Sequence, residues 1–99
     1  MEHEAYVYMM TNSSHTALYV GVTKDLPNRI HQHKSGEGSS HVQKYRIHKL
    51  VFYRGFHDLT DAFDFEKKLK RWKRAWKEEL IEKENWEWND LYDDIFHKS

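Results

Sequence analysis

Five side chains in this sequence have types and spacing that could do chemistry on a phosphate ester. They are Tyr8, Tyr19, Arg29, His33 and Glu66. Breaking a phosphodiester bond at neutral pH needs an activated water, positive charge for the developing oxyanion, and help for the leaving oxygen. A guanidinium presents a planar, permanently charged fork to phosphate oxygens, and one carboxylate with waters can hold Mg²⁺. The five residues are far apart in the chain, so they can act together only if the fold brings them to one place.

Each of these residues also has an ordinary structural interpretation. Two strand tyrosines can be core aromatics, a lone helical arginine is usually solvated, and one histidine among eight says little about its own position. Glu66 stands four residues before Lys70, and such a helical ion pair contributes only ~0.3–0.5 kcal/mol. A free tyrosine has a pKa near ~10, so proton transfer by Tyr8 or Tyr19 needs a neighbouring cation or a hydrogen-bonded relay.

The two tyrosines fall in a predicted β-hairpin. Aromatic and β-branched residues predict strands over residues 2–11 and 17–23, joined by a polar turn. Tyr8 and Tyr19 come close enough to share a site if the register of this hairpin is favourable. Gly21, which has no side chain, is expected to leave room for a backbone or a phosphate.

A first helix is predicted after the hairpin and carries the arginine and the histidine. Asp25 is its predicted N-cap, and Pro27 falls in the first turn, where a missing N–H costs no hydrogen bond. Arg29 and His33 are four residues apart, so both project from one strip of the helix. Gly36 is the predicted stop, before a polar loop.

The rest of the chain predicts one more strand and then helices. A third strand is predicted over residues 48–56, and Asp58 or Thr60 can cap the following helix. Apolar residues recur at helical spacing over residues 62–76, so Trp72 and Trp76 are expected in the core. A break into two helices near Arg74 or Ala75 is left open, and a short last helix is expected within residues 86–96.

This order of elements predicts an α+β fold, a small antiparallel sheet covered by helices in β-β-α-β-α-α order. With 99 residues, 15% of them aromatic, the chain is expected to form a single domain over residues 1–99. The absence of cysteine excludes disulfides and thiolate metal sites. There is no apolar run long enough to cross a bilayer and no signal-peptide pattern, so a cytoplasmic protein without a membrane partner is expected.

Charge is unevenly distributed along the sequence. The 16 Lys and Arg balance the 16 Asp and Glu, which is not the strongly basic composition of a DNA-coating protein. A basic block over residues 67–77 nevertheless precedes an acidic stretch over residues 78–94. The lysines of this block either follow a nucleic-acid backbone or form the solvated face of an amphipathic helix.

The hairpin resembles the paired motif of the GIY-YIG nuclease superfamily. The resemblance rests on Tyr6-Val7-Tyr8, Tyr19-Val20-Gly21, Val22-Thr23 and Arg29, at matching spacing. Tyr6 stands where the family usually has glycine, a replacement common in its small members. Small stand-alone bacterial members match best in length, and the resemblance covers nearly the whole chain. It implies a three-stranded sheet with flanking helices, in agreement with the predicted order.

The resemblance also implies a role for each candidate residue. Tyr19 would take a proton from the attacking water and Tyr8 would support it. Arg29 would steady the phosphate, and His33 matches a histidine of one branch that is proposed there to help move the proton. Glu66, ahead of a basic helical run, would hold one Mg²⁺ or Mn²⁺ ion, weakly occupied without substrate.

Four residues are predicted to bind substrate, and the resemblance implies that this substrate is DNA. The four residues are Gly21, Lys44, Lys70 and Asn85. Asn85 and Trp88 resemble a late Asn-Pro-x-Trp element, with Trp86 in place of the proline, and Trp88 is expected to be structural. The implied activity is metal-dependent hydrolysis of DNA, with branched or nicked DNA as candidates and repair or recombination as compatible roles. An inactive nucleic-acid-binding or protein-interaction module of the same fold is the alternative, a tryptophan-rich dimerising protein is a third, and the oligomeric state is open.

Overall fold

A three-stranded antiparallel sheet organises the computed structural model, which describes residues 3–37 and 40–97. The strands are β1 (Ala5–Thr11), β2 (Leu18–Thr23) and β3 (Lys49–Phe56). The helices in the described ranges are α1 (Leu26–Lys34), α2 (Ser40–Tyr45), α3 (Leu59–Arg71), α4 (Arg74–Glu84) and α5 (Tyr92–His97). The predicted α+β class and element order are confirmed, with α2 inserted before β3 and α5 following α4. None of these helices is long and apolar enough to span a membrane.

The central strand is buried on both of its faces. The sheet order is β2-β1-β3, so β1 pairs with both edge strands. Because successive side chains of a strand point to opposite faces, Val7 and Met9 pack in one cluster and Tyr8 and Met10 in the other. Helices α3 and α4 cover the first face, and α1 and α2 cover the second. The sheet therefore separates α1 from α3, and both helices can meet only at a sheet edge.

The register of the hairpin places the two tyrosines on one face. Tyr8 stands directly opposite Gly21, and Met10 stands opposite Tyr19. Tyr19 precedes Gly21 by two residues, so its side chain lies on the same face as that of Tyr8. The favourable register that the hairpin needed is therefore present.

Side-chain caps begin both helices that carry candidate residues. The carboxylate of Asp25 accepts a hydrogen bond from the amide of Asn28 at 3.3 Å, which caps α1 as predicted. The carboxylate of Asp58 accepts from the amide of Thr60 at 2.9 Å, so Asp58 rather than Thr60 caps α3. Helix α1 ends at Lys34, and Gly36 follows in the left-handed region with φ of 83°. These caps fix where the first turn of each helix meets the end of β2 or β3.

The predicted long helix is divided where no glycine or proline marks a break. Trp72 and Lys73 adopt extended ψ angles of 148° and 151°, one to two residues before the position considered near Arg74. Because α4 starts in a new direction, Trp76 no longer continues the apolar stripe of α3. Trp72 packs against the core, whereas Trp76 is 50% exposed, which corrects the expectation that both lie in the core.

The last predicted helix is shorter than expected. Within residues 86–96, helix α5 begins only at Tyr92. Trp86 lies in the preceding loop and is 76% exposed. Trp88 is buried in the same cluster as Val7, and its indole N–H donates to Glu82 at 3.0 Å. Trp88 is therefore structural, as expected.

Candidate active site

Tyr8 and Tyr19 lie side by side at the β2 edge of the sheet, with ring centroids 6.2 Å apart. Tyr8 is only 1% exposed, whereas Tyr19 is partly exposed. A Cβ atom on Gly21 would lie 2.5 Å from both Cζ and Oη of Tyr8. Gly21 therefore makes room for the ring of Tyr8. A contact between Gly21 and a phosphate stays a prediction.

His33 joins α1 to the tyrosine pair. Its Nε2 lies 3.0 Å from the hydroxyl of Tyr8, and its ring meets that of Tyr19 edge-on at a centroid distance of 5.3 Å. Burial lowers the pKa of His33, and the nearby charge of Arg29 lowers it further, so the imidazole is neutral at pH 7. Its Nδ1 is buried without a hydrogen-bond partner in the described part of the chain. A neutral imidazole can either donate to Tyr8 or accept from it.

The pKa of Tyr8 depends on the ionisable groups around its hydroxyl. Burial raises this pKa, the neighbouring Tyr19 raises it further, Arg29 lowers it through its charge and hydrogen bonding, and Glu66 raises it. The net direction is upward, so Tyr8 keeps its proton at neutral pH. Tyr19, Arg29 and Glu66 therefore all lie within electrostatic range of this one hydroxyl group.

Glu66 approaches this point from α3, on the other face of the sheet from α1. Helix α3 packs against all three strands, and the charge of Glu66 acts on the hydroxyl of Tyr8. The side chain of Glu66 is only 15% exposed, and its Oε2 lies 3.0 Å from Nζ of Lys70. The Glu66–Lys70 ion pair that the sequence suggested is therefore present, alongside this effect of Glu66 on Tyr8.

The surroundings of Glu66 are compatible with a single divalent cation. No group of three or more His, Cys, Asp or Glu that could hold a metal occurs among residues 3–37 and 40–97. A cation here would depend on Glu66, waters and substrate oxygens, which is the usual coordination of Mg²⁺. A largely buried carboxylate that already holds one cationic group has the charge to hold such an ion. Glu66 thus fits a one-carboxylate magnesium site.

A groove of about 410 Å³ runs beside the cluster, between α1 and α3. Asn28, Arg29 and Gln32 line it from α1, Leu59 and Phe63 line it from α3, and the end of β2 forms its floor. Arg29 is exposed to solvent in this groove while its charge also acts on Tyr8. A polyanion bound here would therefore bring a phosphate next to the tyrosine pair.

Comparison with known families independently supports the motif that contains Tyr8 and Tyr19. A family model described as the GIY-YIG catalytic domain matches residues 4–79, about three quarters of the chain. This chain belongs to the GIY-YIG family. The matched segment includes Tyr8, Tyr19, Arg29, His33 and Glu66.

Relatives of this GIY-YIG chain are of similar length. A UPF0213 protein of Streptococcus pneumoniae serotype 4 is 35% identical over 81 residues, which cover 82% of this chain and 81% of the relative. A UPF0213 protein of Bacillus pumilus is 31% identical over 81 residues, with 82% of each chain covered. The solution NMR structure of a UPF0213 protein from Bacillus halodurans has a TM-score of 0.57 at 26% identity, covering 88% of this chain and 92% of that chain. The chain is thus similar to small single-domain members of the GIY-YIG family.

Asn85, the late residue taken from the GIY-YIG pattern, has a structural role. It is 7% exposed, and its amide N–H groups donate to the carbonyls of Val51 at 3.1 Å and Asn89 at 2.8 Å. Its side-chain oxygen accepts from the amide of Asn89 at 3.0 Å. The amide is therefore buried and used inside the fold, and a contact between Asn85 and substrate stays a prediction.

The two predicted substrate-binding lysines lie in different settings. Lys70 is 56% exposed next to Glu66, at the edge of the cluster. Lys44 is exposed on α2, where its ammonium group lies 5.4 Å from the ring centroid of Tyr45. In the described ranges, no hydrogen bond or ion pair connects Lys44 with the tyrosine cluster. A contact between Lys44 and substrate stays a prediction.

Five groove residues are absent from the predictions made from the sequence. They are Lys24, Asn28, Gln32, Leu59 and Phe63. Gln32 follows Arg29 by three residues, so helical spacing alone could have placed it on the same strip. Phe63 is 45% exposed and lies outside the apolar period of α3, and an aromatic residue on the polar side of a helix is a signal of a binding surface.

Proposed function

We propose that this protein is a metal-dependent endonuclease that hydrolyses phosphodiester bonds in DNA. The observation that supports this function is the setting of the Tyr8 hydroxyl, which lies 3.0 Å from Nε2 of His33. The ring centroid of Tyr19 lies 6.2 Å from that of Tyr8, and the charges of Arg29 and Glu66 both act on the pKa of Tyr8. The groups around Tyr8 come from three different elements. Membership of the GIY-YIG family supports the same reaction class. The adjoining groove offers an open path for an extended polyanion.

Unequal exposure of the two tyrosines supports a division of labour between them. Tyr19 is partly exposed and can meet a water molecule, whereas Tyr8 is buried and its pKa is raised. In the proposed reaction, Tyr19 takes a proton from the attacking water as it gives up its own hydroxyl proton, and Tyr8 stays protonated as a hydrogen-bond donor. Neutral His33, in contact with both rings, is the group available to take up a proton.

Arg29 is proposed to hold the scissile phosphate. Its guanidinium keeps its charge at any physiological pH and can form two parallel hydrogen bonds to phosphate oxygens. Its position between the groove and Tyr8 gives the bound phosphate a fixed distance from the tyrosine pair. Charge that develops on the phosphate oxygens during attack is then stabilised without movement of the arginine.

Glu66 is proposed to carry the metal ion. A magnesium ion on this carboxylate would supply positive charge to the leaving oxygen. Because one carboxylate is a weak site, substrate phosphate is expected to complete the coordination. Glu66 itself does not need to move, since its side chain is held in a largely buried position on α3.

A cleavage assay tests this proposal. Branched, nicked and linear DNA are incubated with the full chain and Mg²⁺ or Mn²⁺, and cleavage is compared for Arg29→Ala and Glu66→Ala. Each substitution is expected to reduce the rate about 100-fold or more. Arg71→Ala and Glu79→Ala, which change exposed residues of the same charges outside the cluster, serve as matched controls.

Two outcomes would contradict the proposal. Equal cleavage by wild type and both site variants would mean that the activity comes from a contaminant. Intact DNA under all conditions, with salt-sensitive binding retained, would favour the alternative of a non-catalytic nucleic-acid-binding module.

A further inference from the structure

The ion pair between Glu66 and Lys70 occupies the carboxylate to which the metal ion is assigned. Nζ of Lys70 lies 3.0 Å from Oε2 of Glu66, one helical turn away on α3. An ammonium group at this distance takes the place of a cation on that oxygen. A metal ion that binds Glu66 must therefore compete with Lys70.

The two partners of this pair differ in their freedom to move. The side chain of Glu66 is 15% exposed, whereas that of Lys70 is 56% exposed. A lysine ammonium sits on a flexible four-carbon stem and is readily rehydrated when it faces solvent. Lys70 can consequently leave while Glu66 stays in place. In this pair, Lys70 can be replaced by another cation while the carboxylate of Glu66 stays in place.

A neighbouring cation, Lys77, biases Lys70 towards Glu66. Burial lowers the pKa of Lys77, and the charges of Arg74 and Lys70 lower it further, so Lys77 lies within electrostatic range of both. Arg74 is engaged elsewhere, because it donates to Glu78 and to the carbonyl of Thr16. No carboxylate lies within 4.0 Å of Lys77 in the described ranges.

Once it leaves Glu66, Lys70 is left among like charges. Glu66 is the one carboxylate within 4.0 Å of Lys70 among residues 3–37 and 40–97. Repulsion from Lys77 therefore favours a new anionic partner for its ammonium group. A phosphate of a bound nucleic acid has the required charge.

We propose that Lys70 is a displaceable counter-ion, which neutralises Glu66 before metal binding and turns to a substrate phosphate when the metal ion replaces it. This inference rests on the metal role proposed for Glu66. It makes metal binding and DNA binding mutually supporting, because the metal ion frees a cation for the DNA backbone. It also agrees with the expectation that a single-carboxylate site is weakly occupied without substrate.

The proposal gives Lys70 opposite effects on two equilibria. Removing its charge removes a competitor at Glu66, so the site is expected to bind Mn²⁺ about two- to fivefold more tightly, the range for a partly exposed ion pair. The same change removes one phosphate contact. In the presence of metal, DNA binding is expected to weaken and its dependence on log salt to fall by about one unit of slope.

The experiment measures Mn²⁺ binding to the full chain without DNA, by electron paramagnetic resonance of free Mn²⁺ and by paramagnetic broadening of the residue 66 amide in NMR spectra. Lys70→Gln is compared with Lys68→Gln, an exposed lysine of α3 that forms no ion pair in the described residues. Glu66→Gln identifies the site. Tighter Mn²⁺ binding by Lys70→Gln alone, combined with weaker DNA binding, is the expected result.

The outcomes separate this inference from the proposed function. If Glu66→Gln abolishes Mn²⁺ binding but Lys70→Gln binds it no more tightly than Lys68→Gln, Lys70 does not compete and the inference is overturned, while the metal role of Glu66 stands. If wild type shows no broadening at residue 66, both the metal role and the inference are overturned. Circular dichroism of each variant checks that the fold is retained.

Discussion

The hydroxyl of Tyr8 lies 3.0 Å from Nε2 of His33, and this buried hydrogen bond joins the central strand to α1 across 25 residues of sequence. Both side chains are at least 95% buried. A buried polar group without a partner costs about 1–3 kcal/mol, so each ring depends on the other for its place in the fold. The contact therefore serves stability and holds the proposed proton-transfer groups in one orientation.

Replacing each tyrosine by phenylalanine separates these two contributions. Tyr8→Phe leaves Nε2 of His33 without its partner, so the free energy of unfolding is expected to fall by about 1–3 kcal/mol. Tyr19→Phe removes a hydroxyl from a partly exposed ring and is expected to change stability little, while cleavage falls about 100-fold or more. Urea unfolding and single-turnover cleavage measure the two effects. Wild-type cleavage by Tyr19→Phe would contradict its role as proton acceptor.

The contact between Gly21 and Tyr8 predicts a substitution that can be rescued. In Gly21→Ala the new methyl group would lie 2.5 Å from Oη of Tyr8, and such overpacking is expected to cost about 1–3 kcal/mol. Shortening the neighbour in the double variant Gly21→Ala/Tyr8→Leu should recover part of this loss without restoring cleavage. A double-mutant cycle from urea unfolding measures the coupling. Strictly additive effects would contradict the contact.

Much of the fold follows from local signals. Alternation of aromatic and β-branched residues predicts the hairpin, and the carboxylates of Asp25 and Asp58 mark the starts of two helices. The break at Trp72 and Lys73 has no such signal, because propensity and periodicity both continue through it. There the packing of α4 against β3, a long-range interaction, decides the backbone. The exposure of Trp76 follows from that break and was unpredictable for the same reason.

The sequence motif selects candidate site residues but does not give their arrangement in the fold. Motif spacing selects Tyr8, Tyr19, Arg29 and Glu66, since each motif is local. Which tyrosine is buried depends on the strand order, and the contact of Tyr8 with Gly21 depends on the register. A short motif specifies neither the strand order nor the register. The proposed roles of these residues stay predictions until cleavage is measured.

The pKa of His33 predicts how stability depends on pH. Because its folded-state pKa is lowered from about 6.5, the unfolded chain takes up a proton at a higher pH than the folded chain does. Its contribution is fully present above about pH 6.5 and is lost as the pH falls from there through the folded-state pKa. Wild type is therefore expected to lose more stability between pH 7 and pH 5 than His33→Phe, measured by urea unfolding.

A second histidine serves as the control for this pH effect. The pKa of His15 is also lowered, by burial and then by the charges of Lys49 and Arg74, so its sign is the same. His15→Asn should remove the part of the stability loss at low pH that comes from His15. The part that comes from His33 should remain. The prediction for His33 would be contradicted if His33→Phe kept the wild-type pH dependence of stability and His15→Asn lost it. The whole pH effect would then belong to His15, in the turn between β1 and β2.

Asn85 tests whether a residue taken from the family pattern acts on substrate or on the fold. Its side chain bridges the end of α4 to the Val51 carbonyl of β3 and to the backbone of Asn89. Asn85→Ala removes three hydrogen bonds and leaves buried backbone groups unpaired, so unfolding free energy should fall by about 2–3 kcal/mol. Asn89→Ala is the matched control, because only the backbone of Asn89 takes part. DNA affinity, measured by fluorescence anisotropy where both variants are folded, should stay within about twofold of wild type, a difference below ~0.5 kcal/mol. If Asn85→Ala lost DNA binding but kept wild-type stability, the result would instead support a contact between Asn85 and the substrate.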